Sequence, residues 1–159
     1  MSNEIILRPA EMRDVHNIHL LLHDYAAQGV LLDRSEEDIA FYLKNFTVAV
    51  DENGVFLGCM AVRDFGNDLL EVRSLAIQPG LRKSGIGRKL VGKAIARLDE
   101  ERGSYRLFAL TLQPGFFEKL NFEIVEKELF PEKIWADCVH CPKRDRCDEI
   151  AVIYYGKAQ

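Results

Sequence analysis

Glu71-Val72-Arg73-Ser74-Leu75-Ala76-Ile77-Gln78-Pro79-Gly80-Leu81-Arg82-Lys83-Ser84-Gly85-Ile86-Gly87-Arg88-Lys89 is the stretch that decides the fold. It reads as a strand with one acidic residue near its start, ended by Gln78-Pro79. A glycine-containing loop follows and opens a long helix from Arg88 to about Arg102. Strand, glycine turn and helix N-terminus together make an anion cradle. The first amides of a helix lack an intrahelical acceptor and point at whatever sits there. Gly85 and Gly87 carry no Cβ, so the backbone can approach a phosphate closely.

Two common nucleotide loops are excluded. A Walker loop needs Gly-Lys-Ser/Thr four residues after a first glycine, and the stretch has none. The dinucleotide fingerprint needs a third glycine three positions after the second, where Leu90 stands. What remains is Arg-x-x-Gly-x-Gly at 82–87, with Arg82, Lys83, Arg88, Lys89 and Lys93 crowded around it. The alternative for these cations is an ordinary solvated helix face.

The rest of the chain reads outward from this centre. Ile5 to Arg8 is a first strand, and Glu11 to Gln28 a helix with Val15, Ile18, Leu22 and Tyr25 on one face. Gly29 closes that helix. Ser35 is an N-cap before Glu36, Glu37 and Asp38, opening a short helix to about Leu43. Phe46 to Val50 and Gly54 to Val62 are strands around an Asp-Glu-Asn-Gly turn, and Gly66-Asn67-Asp68 is the next turn. Leu69 to Gln78 is the decisive strand. Strands follow at Tyr105 to Leu110, Phe122 to Glu128 and Ile150 to Tyr155, with a short helix from Pro114 to Leu120. This order predicts an α/β domain with a mixed central sheet flanked by helices.

At 159 residues, residues 1–159 are expected to form one domain. Apolar content of 48% and charged content of 29% fit a soluble globular protein. A net charge of −4 argues against general nucleic-acid binding. No apolar run reaches membrane-spanning length and no signal peptide precedes Ile5, so no membrane partner is expected and the expected location is the cytoplasm.

The 82–87 loop resembles the acetyl-CoA pyrophosphate loop of the GNAT superfamily of N-acetyltransferases. Phe116-Phe117-Glu118-Lys119-Leu120-Asn121-Phe122 is similar to that family's later Phe-Tyr-Glu-Lys-Leu-Gly-Phe segment. The resemblance implies acetyl-CoA as co-substrate, bound by the backbone of Leu75, Ala76 and Ile77 and by Arg82, Lys83, Ser84, Gly85, Ile86, Gly87 and Arg88. The decisive strand is expected to part from the Tyr105 strand and pair with the pantetheine arm as a further strand would. Glu71 stands where the superfamily places a general base, which an ammonium acceptor needs before it can attack a thioester. The alternative for Glu71 is a strand-end ion pair. Many members have a tyrosine acid at position 117, and phenylalanine has no proton to give. A thiol of pKa about 8.5 leaves tolerably at neutral pH without one. Tyr154 and Tyr155 are spare candidates for that acid, with packing in the closing strand as the alternative.

Gln28-Gly29-Val30-Leu31-Leu32-Asp33-Arg34-Ser35, Asn45-Phe46-Thr47-Val48 and Phe108-Ala109-Leu110-Thr111 are similar to segments of the bacterial amino-acid N-acetyltransferases of arginine biosynthesis. Those make N-acetylglutamate, and the short form without a kinase domain is the one implied. Arg34 matches their Arg-Ser motif and is the expected carboxylate anchor, with Arg73 second. Gln113 and Pro114 replace an arginine of the two-domain relatives, so glutamine or another amine stays open as acceptor. A homodimer is allowed.

Cys138, Cys141 and Cys147 surround a Cys-x-x-Cys spacing that suits zinc, or plain thiols ordering a loop before the last strand. His16, His19 and His23 lie near one helix face, a second candidate metal site or a polar flank. Outside amino-acid acetylation, two readings remain: an acetyltransferase for another small amine or a protein N-terminus, and a non-catalytic CoA-binding or zinc-stabilised interaction module.

Overall fold

The computed structural model describes residues 4–81, 84–126 and 149–156. Seven strands are linked by hydrogen bonds in the order β1-β2-β3-β4-β5-β7-β6. They are β1 (Ile5–Pro9), β2 (Phe46–Asp51), β3 (Phe56–Asp64), β4 (Leu69–Ile77), β5 (Tyr105–Thr111), β6 (Glu123–Val125) and β7 (Ile150–Gly156). The helices are α1 (Val15–Ala27), α2 (Glu36–Phe41), α3 (Ile86–Glu101) and α4 (Pro114–Glu118). The β4–β5 pair is parallel, as the intervening crossover helix α3 requires, and the β1–β2, β2–β3, β5–β7 and β6–β7 pairs are antiparallel.

The chain divides into two compact units. The first comprises Met1–Val62 and Val72–Ala96. Its core gathers Val15, Ile18, Leu22 and Tyr25 from α1, Ile39 from α2, Phe46 and Val48 from β2, Cys59 from β3 and Ala76 from β4. The α1 face is the one its three- and four-residue spacing predicts. That helix starts later than expected. Residues 12–14 form a 3-10 turn, because the Asp14 carboxylate accepts from the Glu11 amide at 2.7 Å while holding Arg8 at 2.8 and 3.0 Å. It ends as Gly29 predicts: Gly29, at φ 76°, donates to Ala26 and Val30 donates to Tyr25, which closes a Schellman motif. Ser35 caps α2 as expected, its hydroxyl accepting from the Asp38 amide. The helix stops at Phe41, two residues short of the predicted end, and a separate 3-10 turn follows at Leu43–Asn45.

Strands β3 and β4 lie unusually close at Gly58. A Cβ there would stand 2.7 Å from the Ala76 carbonyl oxygen, a backbone atom. Glycine therefore sets the position of β4's second half.

The second unit comprises Arg63–Glu71 and Arg97–Gln159. Leu69, Phe108, Ala151 and Ile153 form its centre, with Phe65, Leu110 and Val125 against them. The Tyr105 hydroxyl donates to Asp99 at 2.6 Å, and the ring lies over Gly156, where any Cβ would overlap it. Strand β6 covers Glu123–Val125 and leaves out Phe122 and Glu126, while residues 127–128 of the predicted span lie outside the described residues. Cys138, Cys141 and Cys147 lie outside the described residues.

Candidate active site

The loop after β4 is built by turn chemistry. Leu81 donates to the Gln78 carbonyl at 3.0 Å, with Pro79 and Gly80 as the central residues and Gly80 at φ 88°. Proline at the first central position and a left-handed glycine at the second define a type II turn. Ser84 then donates its amide and its hydroxyl to Leu81's carbonyl. Gly85 sits at φ 86°, and its carbonyl accepts the first helical bond, from Lys89 at 3.1 Å. The helix thus begins at Ile86 rather than at Arg88. The Ile86, Gly87 and Arg88 amides precede that first bond and have no helical acceptor.

The face α3 buries carries Ile86, Leu90, Val91, Ala94 and Leu98. Arg88, Lys89 and Lys93 are exposed, and no acidic residue lies in the first turn. Cations at a helix N-terminus oppose the macrodipole, so this arrangement is favourable only with an anion in place. A Cβ at Gly85 would have only the Arg88 guanidinium near it, at 3.7 Å. Among the described residues, chain neighbours aside, nothing else comes within 4 Å of that point. Arg82 and Lys83 lie outside the described residues.

Strand β4 changes character midway. Residues 69–71 pair with residues 106–108 of β5, and Glu71, 3% exposed, is the last residue of that pairing. Three residues on, Ser74 adopts φ 54°. A serine in the left-handed region costs about 1–2 kcal/mol, and such outliers gather at functional sites. Strand alternation would put Glu71, Arg73, Leu75 and Ile77 on one face, and the left-handed Ser74 interrupts it. Burial follows: residues 73, 74 and 75 are half-buried between the buried Val72 and Ala76.

The Ser74 conformation is held from β3 and from the α1–α2 region. The buried Cys59 thiol donates to the Ser74 carbonyl at 3.5 Å. Burial pushes that thiol up to about 12, although Arg34 nearby pulls the other way, so it stays a protonated donor. At the end of β4 the Tyr25 hydroxyl donates to the Ile77 carbonyl at 2.6 Å. Of the backbone groups expected to meet a cofactor, the Ile77 carbonyl is already engaged.

Arg34 reaches the same strand. Its Nη1 donates to the Ser74 hydroxyl at 3.3 Å and its Nε to Asp38 at 2.6 Å. Its guanidinium carbon lies 5.0 Å from the Phe46 ring centre and 5.7 Å from that of Tyr42. With its side chain only 14% exposed, it is a fixed cation. Arg73 is half-buried on β4 beside Ser74.

Phe117 is buried, its ring 5.0 Å from Phe116 and 5.1 Å from Phe122. Tyr154 joins the same cluster with its ring tilted 5.6 Å from Phe122, whereas Tyr155 is exposed and does not pack. The three α1 histidines form no metal site among the described residues; each Nδ1 takes a partner in residues 33–36 instead. Sequence reasoning missed Ser74, Tyr25, Cys59 and Asp38. Tyr25 was visible only as an apolar helix position, and a serine gives no signal for a left-handed backbone.

Known proteins are similar to this chain in sequence and fold. The acetyltransferase (GNAT) domain profile matches residues 42–124, which contain β4, the loop and α3. An uncharacterised N-acetyltransferase of Chlorobaculum tepidum is 45% identical over 147 residues, covering 92% of this chain and 94% of that protein. An amino-acid acetyltransferase of Neisseria meningitidis serogroup A is 30% identical over 132 residues, 80% of this chain but 29% of that protein. The chain thus spans under a third of that relative's length. The fold also matches N-acetylglutamate synthase from Neisseria gonorrhoeae, solved with coenzyme A and N-acetyl-glutamate, at a TM-score of 0.85 and 24% identity over 98% of this chain and 36% of the other. With a basic open helix start after a strand that breaks its own regularity, and with these relatives, the chain belongs to the GNAT family and is an acetyl-CoA-dependent N-acetyltransferase.

Proposed function

We propose that this enzyme acetylates the α-amino group of an amino acid, glutamate first, and that residues 1–159 act as one acetyltransferase domain. Arg34 carries the reading. A guanidinium packed on two aromatic rings and tethered by Asp38 and Ser74 has lost most of its freedom, so it presents its remaining donors as a planar fork. A carboxylate is the partner that geometry favours. The relatives named amino-acid acetyltransferase support the same substrate class.

In this reading Glu71 takes the proton that an ammonium must lose before attack. Residues 84–88, with Arg82 and Lys83 beside them, hold the pyrophosphate of acetyl-CoA against the start of α3. Past Glu71, the Leu75 and Ala76 backbone pairs with the pantetheine arm, and Arg73 is a second cation for the acceptor. Phe117 gives no proton, so the thiolate leaves without help from that position.

Asp38 favours a second reading. Its carboxylate offsets part of the Arg34 charge, which suits an acceptor with one carboxylate, such as glutamine. One experiment separates the two: thiol release from acetyl-CoA with each of the twenty amino acids. Glutamate is expected to lead. A lead for glutamine supports the second reading, and turnover only on polyamines or peptides overturns both. Arg34→Ala is expected to raise the Michaelis constant for the preferred amino acid roughly ten- to a hundredfold, the range for a charged hydrogen bond. The constant for acetyl-CoA should stay nearly unchanged.

A further inference from the structure

The face of α1 that carries His16, His19 and His23 is laid along the segment that delivers Arg34. His16 Nδ1 meets the Glu36 carboxylate at 3.2 Å, His19 Nδ1 meets the Arg34 carbonyl at 2.7 Å, and His23 Nδ1 meets the Asp33 carboxylate at 3.1 Å. The helix advances as the segment runs back, so three histidines grip three nearby residues in reverse order. Residues 32–34 belong to no helix or strand, and Ser35 is the cap that opens α2. Their placement depends on bonds of this kind.

We infer that His19 is the positioning residue of the acceptor arginine: its ring N–H fixes the Arg34 backbone so that the guanidinium meets the acceptor carboxylate in one orientation. This rests on the reading of Arg34 as that anchor. The outer two contacts are of another kind. His16, His23 and their carboxylates are exposed, and exposed pairs of this type hold geometry weakly. Asp33 nonetheless feels its neighbour, since the hydrogen bond from His23 holds its carboxyl below the usual range. His19 is half-buried and binds the main chain of the functional residue itself.

The chemistry of the bond is settled by its acceptor. A carbonyl oxygen only accepts, so Nδ1 must carry the proton whether the ring is neutral or charged. The side-chain amide of asparagine can place an N–H close to where Nδ1 stands, and leucine fills the space without a donor. At the other end of the arginine, Asp38 and Ser74 hold Nε and Nη1. With the backbone fixed by His19 as well, the side chain is pinned at both ends.

The test compares His19→Leu, His19→Asn, Arg34→Ala and the His19→Leu/Arg34→Ala double variant, each with the amino acid that leads the thiol-release screen. Melting temperatures are measured alongside. His19→Leu is expected to raise the acceptor Michaelis constant roughly three- to tenfold, the range of a neutral hydrogen bond. Turnover number and the acetyl-CoA constant should stay within about twofold of the parent enzyme. His19→Asn should restore most of the loss, and the double variant should bind the acceptor no worse than Arg34→Ala alone. If Arg34→Ala raises the acceptor constant and His19→Leu does not, the inference is overturned and the acceptor reading stands. Silence from Arg34→Ala overturns both. An equal rise for both substrates, or no recovery with asparagine, makes His19 a residue of the helix seam only. Should the leucine variant not fold, His19→Ala against His19→Asn asks the same question.

Discussion

The turn before β4, residues 64–68, and the turn after it, residues 78–81 and 84–85, both pass through the left-handed region of backbone space. Gly66, Asn67 and Asp68 sit at φ 84°, 55° and 59°; Gly80 and Gly85 sit at 88° and 86°. The first turn is closed upon itself. Asp64 accepts from the Gly66 amide, Leu69 donates to Gly66 and Phe65 donates to Leu69. Arg102 spans Asp64 and Asp68 at 2.7 and 3.1 Å, and Arg106 takes the carbonyls of Asn67 and Asp68. The second turn has cations at its far end and no acidic residue in the helical turn that follows. Equal backbone geometry therefore serves two ends. Where charge is balanced inside the protein, the turn is scaffold; where cations gather at open amides, we propose a receptor for something outside the chain.

The sharpest way to break this contrast is to place valine at a left-handed glycine on each side. Gly85→Val is expected to abolish acetyl-CoA binding in a folded protein, because the side chain fills the space before α3. Gly66→Val should cost about 1–2 kcal/mol of stability for its forced φ and leave acetyl-CoA affinity unchanged. Calorimetric titration and thermal melts of both variants check the pair. Loss of affinity in Gly66→Val, or full affinity in Gly85→Val, would end the distinction.

A second test falls where the two behaviours of β4 meet. Glu71 closes the stretch tied to β5, and the strand beyond it is bent at Ser74. If Glu71 is the base, Glu71→Gln should lower turnover roughly 10²–10⁴-fold at neutral pH, with acetyl-CoA affinity nearly intact. Activity within a few-fold of the parent from mildly acidic to mildly alkaline pH would assign Glu71 to the scaffold half of the strand.

The parts legible in the sequence are those whose cause is local. The turn at Gly66-Asn67-Asp68, the Ser35 cap, the glycine that ends α1 and the glycine loop before α3 each depend on residues within a few positions. What escaped depends on distant partners. Ser74 carries no mark of its unusual φ, which is held by Cys59 and Arg34 from elsewhere in the chain. The histidines of α1 share a face with the spacing of a metal site, yet their partners stand 10 to 20 residues away. Arg34 was legible as a residue type in a motif, and its tether to Asp38 was not. The start of α3 was placed two residues late, because Gly85 rather than Gly87 supplies the first accepting carbonyl.

The smallest effect is expected on the closed turn's own charges. Arg102 is partly exposed and faces two carboxylates that are more so, which limits the pair to the modest range of surface ion pairs. Arg102→Ala should cost roughly 0.2–1 kcal/mol, a fall in melting temperature of about 1–4 °C, shrinking as salt is added. The pH dependence gives the sign independently. Burial pushes the Asp64 carboxyl up, but the Gly66 amide and the Arg102 guanidinium outweigh it and hold it below its ordinary value of 3.8. A depressed carboxyl stabilises the fold fully above that ordinary value and loses its contribution as pH falls through the lower folded value. The melting difference between parent and Arg102→Ala should therefore be constant near neutrality and narrow only in strong acid. Acetyl-CoA affinity should not change, because this turn's cations are already matched inside the chain. A drop in that affinity would show that the acidic turn, too, answers to the ligand.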